Sequence, residues 1–121
     1  MVKALFDTCI LIDYLNGIAA ARTELALYES RAISTITWME VMVGASADNE
    51  AATRAWLATF DVLDIDPVVA DRAVALRKAR RMRLPDAIIW ATAQAHAMLL
   101  VSRNTKEFPA KEPGIRVPYT I

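Results

Sequence analysis

One cysteine, one histidine and three glycines are all that this 121-residue sequence holds of those three residue types. The single cysteine, Cys9, excludes an intrachain disulfide and any cysteine-pair metal site. Three Gly and five Pro exclude collagen-like and linker-like chains. Repeats at a period of roughly 20–50 residues and low-complexity tracts are also missing. Asp7 and Asp13 interrupt the opening apolar stretch too early for a secretory leader. The longest weakly charged run, residues 84–102, carries Pro85, Asp86, Gln94 and His96, which suits a buried helix plus strand better than a membrane span. These absences point to a soluble, cytoplasmic protein in a reducing compartment. What is abundant is apolar: 55% of residues, too many for a disordered chain. The length suits one domain over residues 1–121, burying roughly two thirds of the surface its unfolded chain exposes.

Charge of either sign is not scarce, but it is segregated. The net charge is zero, yet residues 1–71 hold four Lys/Arg and eleven Asp/Glu, and residues 72–121 hold ten Lys/Arg and three Asp/Glu. Such asymmetry fits a nucleic-acid or acidic partner, or simply two halves that meet.

Hydrophobic patterning predicts short strands at 2–6, 32–35, 62–65 and 98–101, with a fifth at 115–117. Helices are predicted at 8–15, 19–28, 36–44, 49–60, 67–80 and 85–97. Asp7 is placed to cap the first, and Asn16-Gly17 to stop it. In the fourth, Ala52, Ala55, Trp56 and Phe60 recur at helical spacing. Asp66-Pro67 opens the fifth. Short apolar strands alternating with helices mean crossover connections, hence an α/β fold with a parallel sheet covered on both faces. In such sheets ligands bind outside the carboxyl ends of the strands, where strand order reverses. That puts weight on Asp7, on the stretch leading to Glu40, and on Ser102-Arg103-Asn104.

Three acids stand alone in apolar surroundings. Glu40 is the only charged residue between Arg31 and Asp48, Asp86 the only one between Arg83 and Arg103, and Asp7 ends the first strand. Each has a structural reading: Asp7 as an N-cap, Thr37-x-x-Glu40 as a capping box, Asp86 at the positive end of its helix. Yet all three follow a strand or open a helix, where strand ends converge. At about 5 Å and an effective dielectric near 20, each pair of carboxylates costs roughly 3 kcal/mol, which a bound cation would offset. Hard oxygen ligands without nearby Cys or His select Mg²⁺ or Mn²⁺. Such an ion can activate water, polarise a phosphoryl oxygen and stabilise a leaving oxygen.

Four segments extend this pattern into a family likeness. They are residues 5–15 (Leu-Phe-Asp-Thr-Cys-Ile-Leu-Ile-Asp-Tyr-Leu), 33–44 (Ile-Ser-Thr-Ile-Thr-Trp-Met-Glu-Val-Met-Val-Gly), 84–93 (Leu-Pro-Asp-Ala-Ile-Ile-Trp-Ala-Thr-Ala) and 100–108 (Leu-Val-Ser-Arg-Asn-Thr-Lys-Glu-Phe). In order and spacing the sequence resembles a PIN-domain ribonuclease, most of all the VapC-type toxins of bacterial toxin–antitoxin pairs. The resemblance implies a three-layer α/β/α domain whose sheet of four to five parallel strands runs in the order 3-2-1-4-5. It implies Asp7, Glu40 and Asp86 as ligands of Mg²⁺, with Mn²⁺ able to substitute, and Thr8 and Ser102 as small hydroxyl residues of the pocket. Asn104 stands where many relatives carry a fourth acid, a departure that should weaken any second metal; Glu107 is a candidate substitute. The implied activity is endonucleolytic hydrolysis of RNA by water, leaving 5′-phosphate and 3′-hydroxyl ends. The implied partners are a VapB-type antitoxin and a second copy of the chain in a homodimer.

Other residues have structural readings beside functional ones. His96 sits within a predicted helix as a structural histidine, and Cys9 reads as core packing. Arg72, Arg77, Lys78, Arg80, Arg81 and Arg83 form either a solvated face or an RNA-binding edge; Arg80, Arg83 and Arg103 are the candidate RNA contacts. Trp38, Trp56 and Trp90 suit a core or a subunit interface. With a mean hydropathy of +0.27, some apolar surface should remain for a partner, and the 52–56–60 stripe and Trp38 are candidates. A haloacid-dehalogenase-type phosphatase would need an acid where Cys9 stands, and a receiver domain a paired acid before the first strand's end. The remaining alternative is a catalytically inactive PIN-like binding module acting through RNA or protein contacts.

Overall fold

The computed structural model describes residues 2–121. The elements, in chain order, are β1 (Ala4–Phe6), α1 (Thr8–Leu15), α2 (Ala19–Ala26), β2 (Arg31–Ser34), α3 (Thr35–Val43), α4 (Glu50–Leu57), β3 (Asp61–Leu63), α5 (Pro67–Arg80), α6 (Leu84–Ala95), β4 (Leu99–Val101) and β5 (Ile115–Arg116). All five strands are parallel, in the order β3-β2-β1-β4-β5, as expected.

Alternation along each strand divides the core into two. Ala4 and Phe6 of β1, Ile33 of β2 and Val101 of β4 face a cluster built with Ile10, Leu11, Leu25, Leu57 and Phe60. Leu5, Ala32 and Leu100 face the other side, among Val69, Ala73, Ala87, Trp90 and Phe108. A strand residue alternates sides every step, so one sheet fills both cores. Phe6 meets Tyr28 and Phe60 edge-on, at centroid distances of 5.5 and 6.5 Å. Emptying such a fully buried site by Phe→Ala typically costs about 3–5 kcal/mol.

Local chemistry sets the helix ends. The Asp7 carboxylate accepts from the Thr8 amide at 2.8 Å, and Asp66 caps the Val69 amide at 2.9 Å ahead of Pro67. Gly17, at φ +80°, turns the chain after α1 where a side chain would be strained. Helix α5 stops at Arg80 because Arg81 adopts a left-handed conformation (φ 54°), after which Met82 is buried and Arg83 is exposed.

Several expectations are corrected. The capping box at Thr37 and Glu40 does not form: Ser34, three residues before Thr37, caps α3 instead, accepting from the Ile36 amide at 3.2 Å. In α4 the buried face is Thr53 and Leu57, whereas Ala52 and Ala55 are exposed. Trp56 stacks on Tyr14 at 4.6 Å and Phe60 is buried, so the 52–56–60 stripe is largely spent inside the molecule. His96 is the exposed end of α6 rather than a mid-helix residue. The exposed apolar residues instead include Met39 and Val43 on α3 and Val68 and Val74 on α5. No helix among the described residues is long and apolar enough to cross a membrane.

Candidate active site

Strand order reverses at β1, and the crevice beyond the carboxyl ends of β1 and β4 is where this topology leaves room for a ligand. A cavity of about 300 Å³ opens there, lined by Asp7, Thr8, Cys9, Ile12, Glu40, Arg83, Asp86, Arg103 and Asn104. Separate elements and loops supply these residues, so the three lone acids of the sequence do share one space. A larger cavity, about 490 Å³, lies at the amino ends of β4 and β5 between Trp90, Met98 and Gly114. It holds one carboxylate, Glu112, already paired with Arg80 at 3.0 Å, and is not the acidic site.

Asp7 is the most enclosed of the three. Ser102, the residue after β4, donates its hydroxyl to Asp7 Oδ2 at 2.7 Å, and the Cys9 thiol donates to the same oxygen at 3.3 Å. Burial pushes the Asp7 carboxyl up; the donors of Ser102, Cys9 and Thr8 pull it down, and the Asp86 carboxylate adds to the rise. Burial, then the Asp7 charge, raises the Cys9 thiol to about 12, so it stays a protonated donor. Cys9 is half-buried, packed against the core as expected and also lining the cavity wall. Ser102 Oγ also accepts from the Asn104 amide at 3.0 Å, which fixes the loop that carries Asn104 to the cavity.

Glu40 projects from α3 toward Thr8. The Thr8 hydroxyl donates to Glu40 Oε1 at 2.8 Å and lies 3.0 Å from the Thr37 hydroxyl. Asp86 stands in the first turn of α6, nearly buried, with Oδ2 accepting from Arg83 Nε at 3.1 Å. Glu107 is not among the residues lining the cavity.

As placed, no three His, Cys, Asp or Glu side chains of the described residues stand close enough to hold one ion. Each carboxylate is turned to a protein donor. The donor set nonetheless suits a hard divalent cation: three carboxylates, no imidazole, and a neutral thiol. Asp86 Oδ1 and Glu40 Oε2 take no hydrogen bond from the described residues, so each has an oxygen to offer.

The candidate RNA contacts separate. Arg83 and Arg103 line the cavity, but Arg80 does not: it pairs with Glu112 and lies over Trp90 at 4.6 Å. Arg103 is engaged by Asp13, with Nε at 2.5 Å and Nη2 at 2.9 Å from its two oxygens. Tyr119 from the C-terminal segment donates to the same carboxylate at 2.7 Å. Sequence reasoning missed Asp13 as the anchor of the loop after β4. The available signal was a second acid on the apolar helix that follows Asp7, a position that needs a buried partner.

Comparison with known proteins fits this geometry. A PIN-domain family model matches residues 4–112. The tRNA(fMet)-specific endonuclease VapC of Shigella flexneri is 31% identical over 120 residues, spanning 89% of this chain and 91% of that protein. Ribonuclease VapC10 of Mycobacterium tuberculosis is 30% identical over 125 residues, spanning 97% of this chain and 93% of that protein. Among solved structures, a chain of a toxin–antitoxin complex from Klebsiella pneumoniae is 50% identical and superposes with a TM-score of 0.93, covering 98% of this chain and 100% of that one. With the order-3-2-1-4-5 sheet and these matches along nearly its whole length, the chain belongs to the PIN-domain family as a VapC-type member.

Proposed function

We propose that the chain is an Mg²⁺-dependent endoribonuclease, able to use Mn²⁺, that acts as the toxin of a toxin–antitoxin pair. The observation that carries this reading is the cavity shared by Asp7, Glu40 and Asp86, drawn from the end of β1, from α3 and from the start of α6. Ribonuclease names among its relatives support RNA as the substrate.

In this reading Asp7, Glu40 and Asp86 hold the cation. When bound, it supplies activation of water and relief of charge on the phosphoryl group. Ser102 and Cys9 fix the Asp7 carboxylate through their donors, and Thr8 fixes Glu40. Asn104, neutral and at the cavity edge, offers both a donor and an acceptor to substrate. Arg83 is the RNA contact best placed, being an exposed cation beside the acids, and Arg103 adds positive charge tempered by Asp13. Water attack with departure of the 3′ oxygen leaves a 5′-phosphate and a 3′-hydroxyl.

A VapB-type antitoxin is the proposed partner, supported by the toxin–antitoxin complex whose chain is 50% identical. The apolar surface at Met39 and Val43 of α3, beside Trp38 and Met42, offers it a docking face. A homodimer in the cytoplasm completes the reading. The test is to incubate purified antitoxin-free chain with mixed RNA and Mg²⁺ or Mn²⁺. Cation-dependent cleavage that Asp86→Asn abolishes is expected; RNA binding without cleavage by the parent chain would favour the inactive binding module instead.

A further inference from the structure

Three arginine–carboxylate pairs involve a nearly buried acid, and they are not alike. Asp13 receives two hydrogen bonds from Arg103 and one from Tyr119. Glu24 receives two from Arg116, at 2.6 and 2.9 Å, and one from Tyr28 at 2.9 Å. Both are closed: a forked guanidinium and a phenol satisfy the carboxylate, as buried ion pairs require. Asp86 has a single donor among the described residues, Arg83 Nε at 3.1 Å, and the Arg83 side chain is 71% exposed. One oxygen of Asp86 is left to the cavity, and most of the arginine is left to water.

Asp86 is therefore held by the weakest clamp of the three, and it is held at the candidate cation site. Arg103, the other cation on the cavity wall, is already balanced by Asp13. Of the two arginines lining the cavity, Arg83 is thus the one left to offset Asp7, Glu40 and Asp86. Its backbone is extended, immediately before α6, so the side chain returns one turn along the helix to reach Asp86.

We infer that Arg83 is a built-in counterion of the site: it occupies Asp86 in the cation-free protein and competes with a divalent cation for that carboxylate. The inference rests on the reading of Asp86 as a cation ligand. Competition follows from charge and from geometry. A guanidinium beside Asp86 lowers the negative potential that attracts a cation to the free Oδ1, and a cation that took both oxygens would displace its hydrogen bond from Oδ2. Because the arginine is exposed, giving it up is cheap, and the competition is a modest brake rather than a block.

Calorimetric titration of Mn²⁺ into the isolated full chain tests this without any cleavage assay. The variants are Arg83→Gln, Arg83→Lys and Asp86→Asn, compared at low ionic strength. Exposed ion pairs change equilibria by a factor of up to about five, so Arg83→Gln should bind Mn²⁺ about 2- to 5-fold more tightly than the parent. Arg83→Lys keeps the charge and should stay within about twofold of the parent. Asp86→Asn should bind far more weakly. If the parent binds Mn²⁺ and Asp86→Asn does not, while Arg83→Gln is no tighter than the parent, the counterion role is refuted and the cation site stands. The counterion role is equally refuted if Arg83→Lys tightens as much as Arg83→Gln. If parent and Asp86→Asn behave alike, the cation-site reading itself has failed, and the counterion role fails with it.

Discussion

Replacing Arg103 with Met should destabilise the chain strongly at neutral pH and progressively less in acid. Asp13 has only 6% of its side chain exposed, and its two oxygens accept three hydrogen bonds, two from Arg103 and one from Tyr119. Removing one partner of a buried pair costs about 3–5 kcal/mol. Arg103 keeps 32% exposure, so part of the pair is hydrated already and the low end, about 3 kcal/mol, applies. For a chain of this size that lowers Tm by about 10 °C. The sign of the pH dependence follows from Asp13. The hydrogen bonds from Arg103 favour its ionised form most, burial opposes them, and the Tyr119 hydroxyl favours it further, leaving the folded-state value below the ordinary one. The pair's contribution is therefore complete above an unfolded value of about 4 and is lost as pH falls through the lower folded value. Without Arg103, burial dominates and raises the Asp13 carboxyl, which then protonates on mild acidification and ceases to be an unpaired buried charge. The gap between parent and variant should be widest near neutral pH and narrow below about pH 4. Thermal melts followed by circular dichroism measure it. A Tm loss under about 3 °C at neutral pH, well short of the size scaling, or a gap that stays constant in acid, would refute the argument.

Other outcomes are expected. Asp86→Asn should cut single-turnover RNA cleavage by roughly 10²-fold or more with an unchanged circular dichroism spectrum, the scale of losing one electrostatic group at a reacting centre; near-normal activity would remove Asp86 from the site. Mn²⁺ at about 100 times its Kd should add about 2.7 kcal/mol to the parent's stability, with a smaller rise in Glu40→Gln; equal rises would leave Glu40 as no more than the partner of Thr8. Light scattering at micromolar concentration should give a dimer mass for the isolated chain, and a purely monomeric mass would contradict the homodimer.

Elements defined by local chemistry were legible in the sequence to within a residue or two. Helix α1 runs over 8–15 as its Asp7 cap and Asn16-Gly17 stop imply, and α5 runs over 67–80 from the Asp66-Pro67 start. That the three acids share one cavity was foreseeable because isolated charge in apolar sequence is costly wherever it lands. What was missed has a common cause, a competing partner, near or distant in sequence, that the local pattern does not reveal. Thr37-x-x-Glu40 has the form of a capping box, but Thr8, 32 residues away, takes Glu40, and Ser34 caps the helix. Cys9 packs against the core as expected, but the Asp7 and Ser102 oxygens beside it also make it a donor on the cavity wall, which composition does not reveal. Ala52 and Ala55 match the helical period of Trp56, yet Tyr14 and Phe60 decide which side of that helix is covered.

Charge shows the same division between what a sequence determines and what only contacts reveal. The acidic first part and basic second part are compatible with a polyanion partner, but two cross-chain pairs consume part of the imbalance. Asp13 meets Arg103 from 90 residues away, and Glu24 meets Arg116 from 92. Arg80 is spent on Glu112 within the basic part. The asymmetry is thus partly the footprint of folding, since a parallel sheet with β4 beside β1 brings the late chain onto the early one. The cations left for a nucleic acid are those that these pairs do not use, among them Lys78 and Arg81 at the exposed end of α5, leading to Arg83 at the cavity. Phosphates bound along that edge would position RNA without selecting its sequence, and would approach the acids past Arg83, whose own pairing is weak.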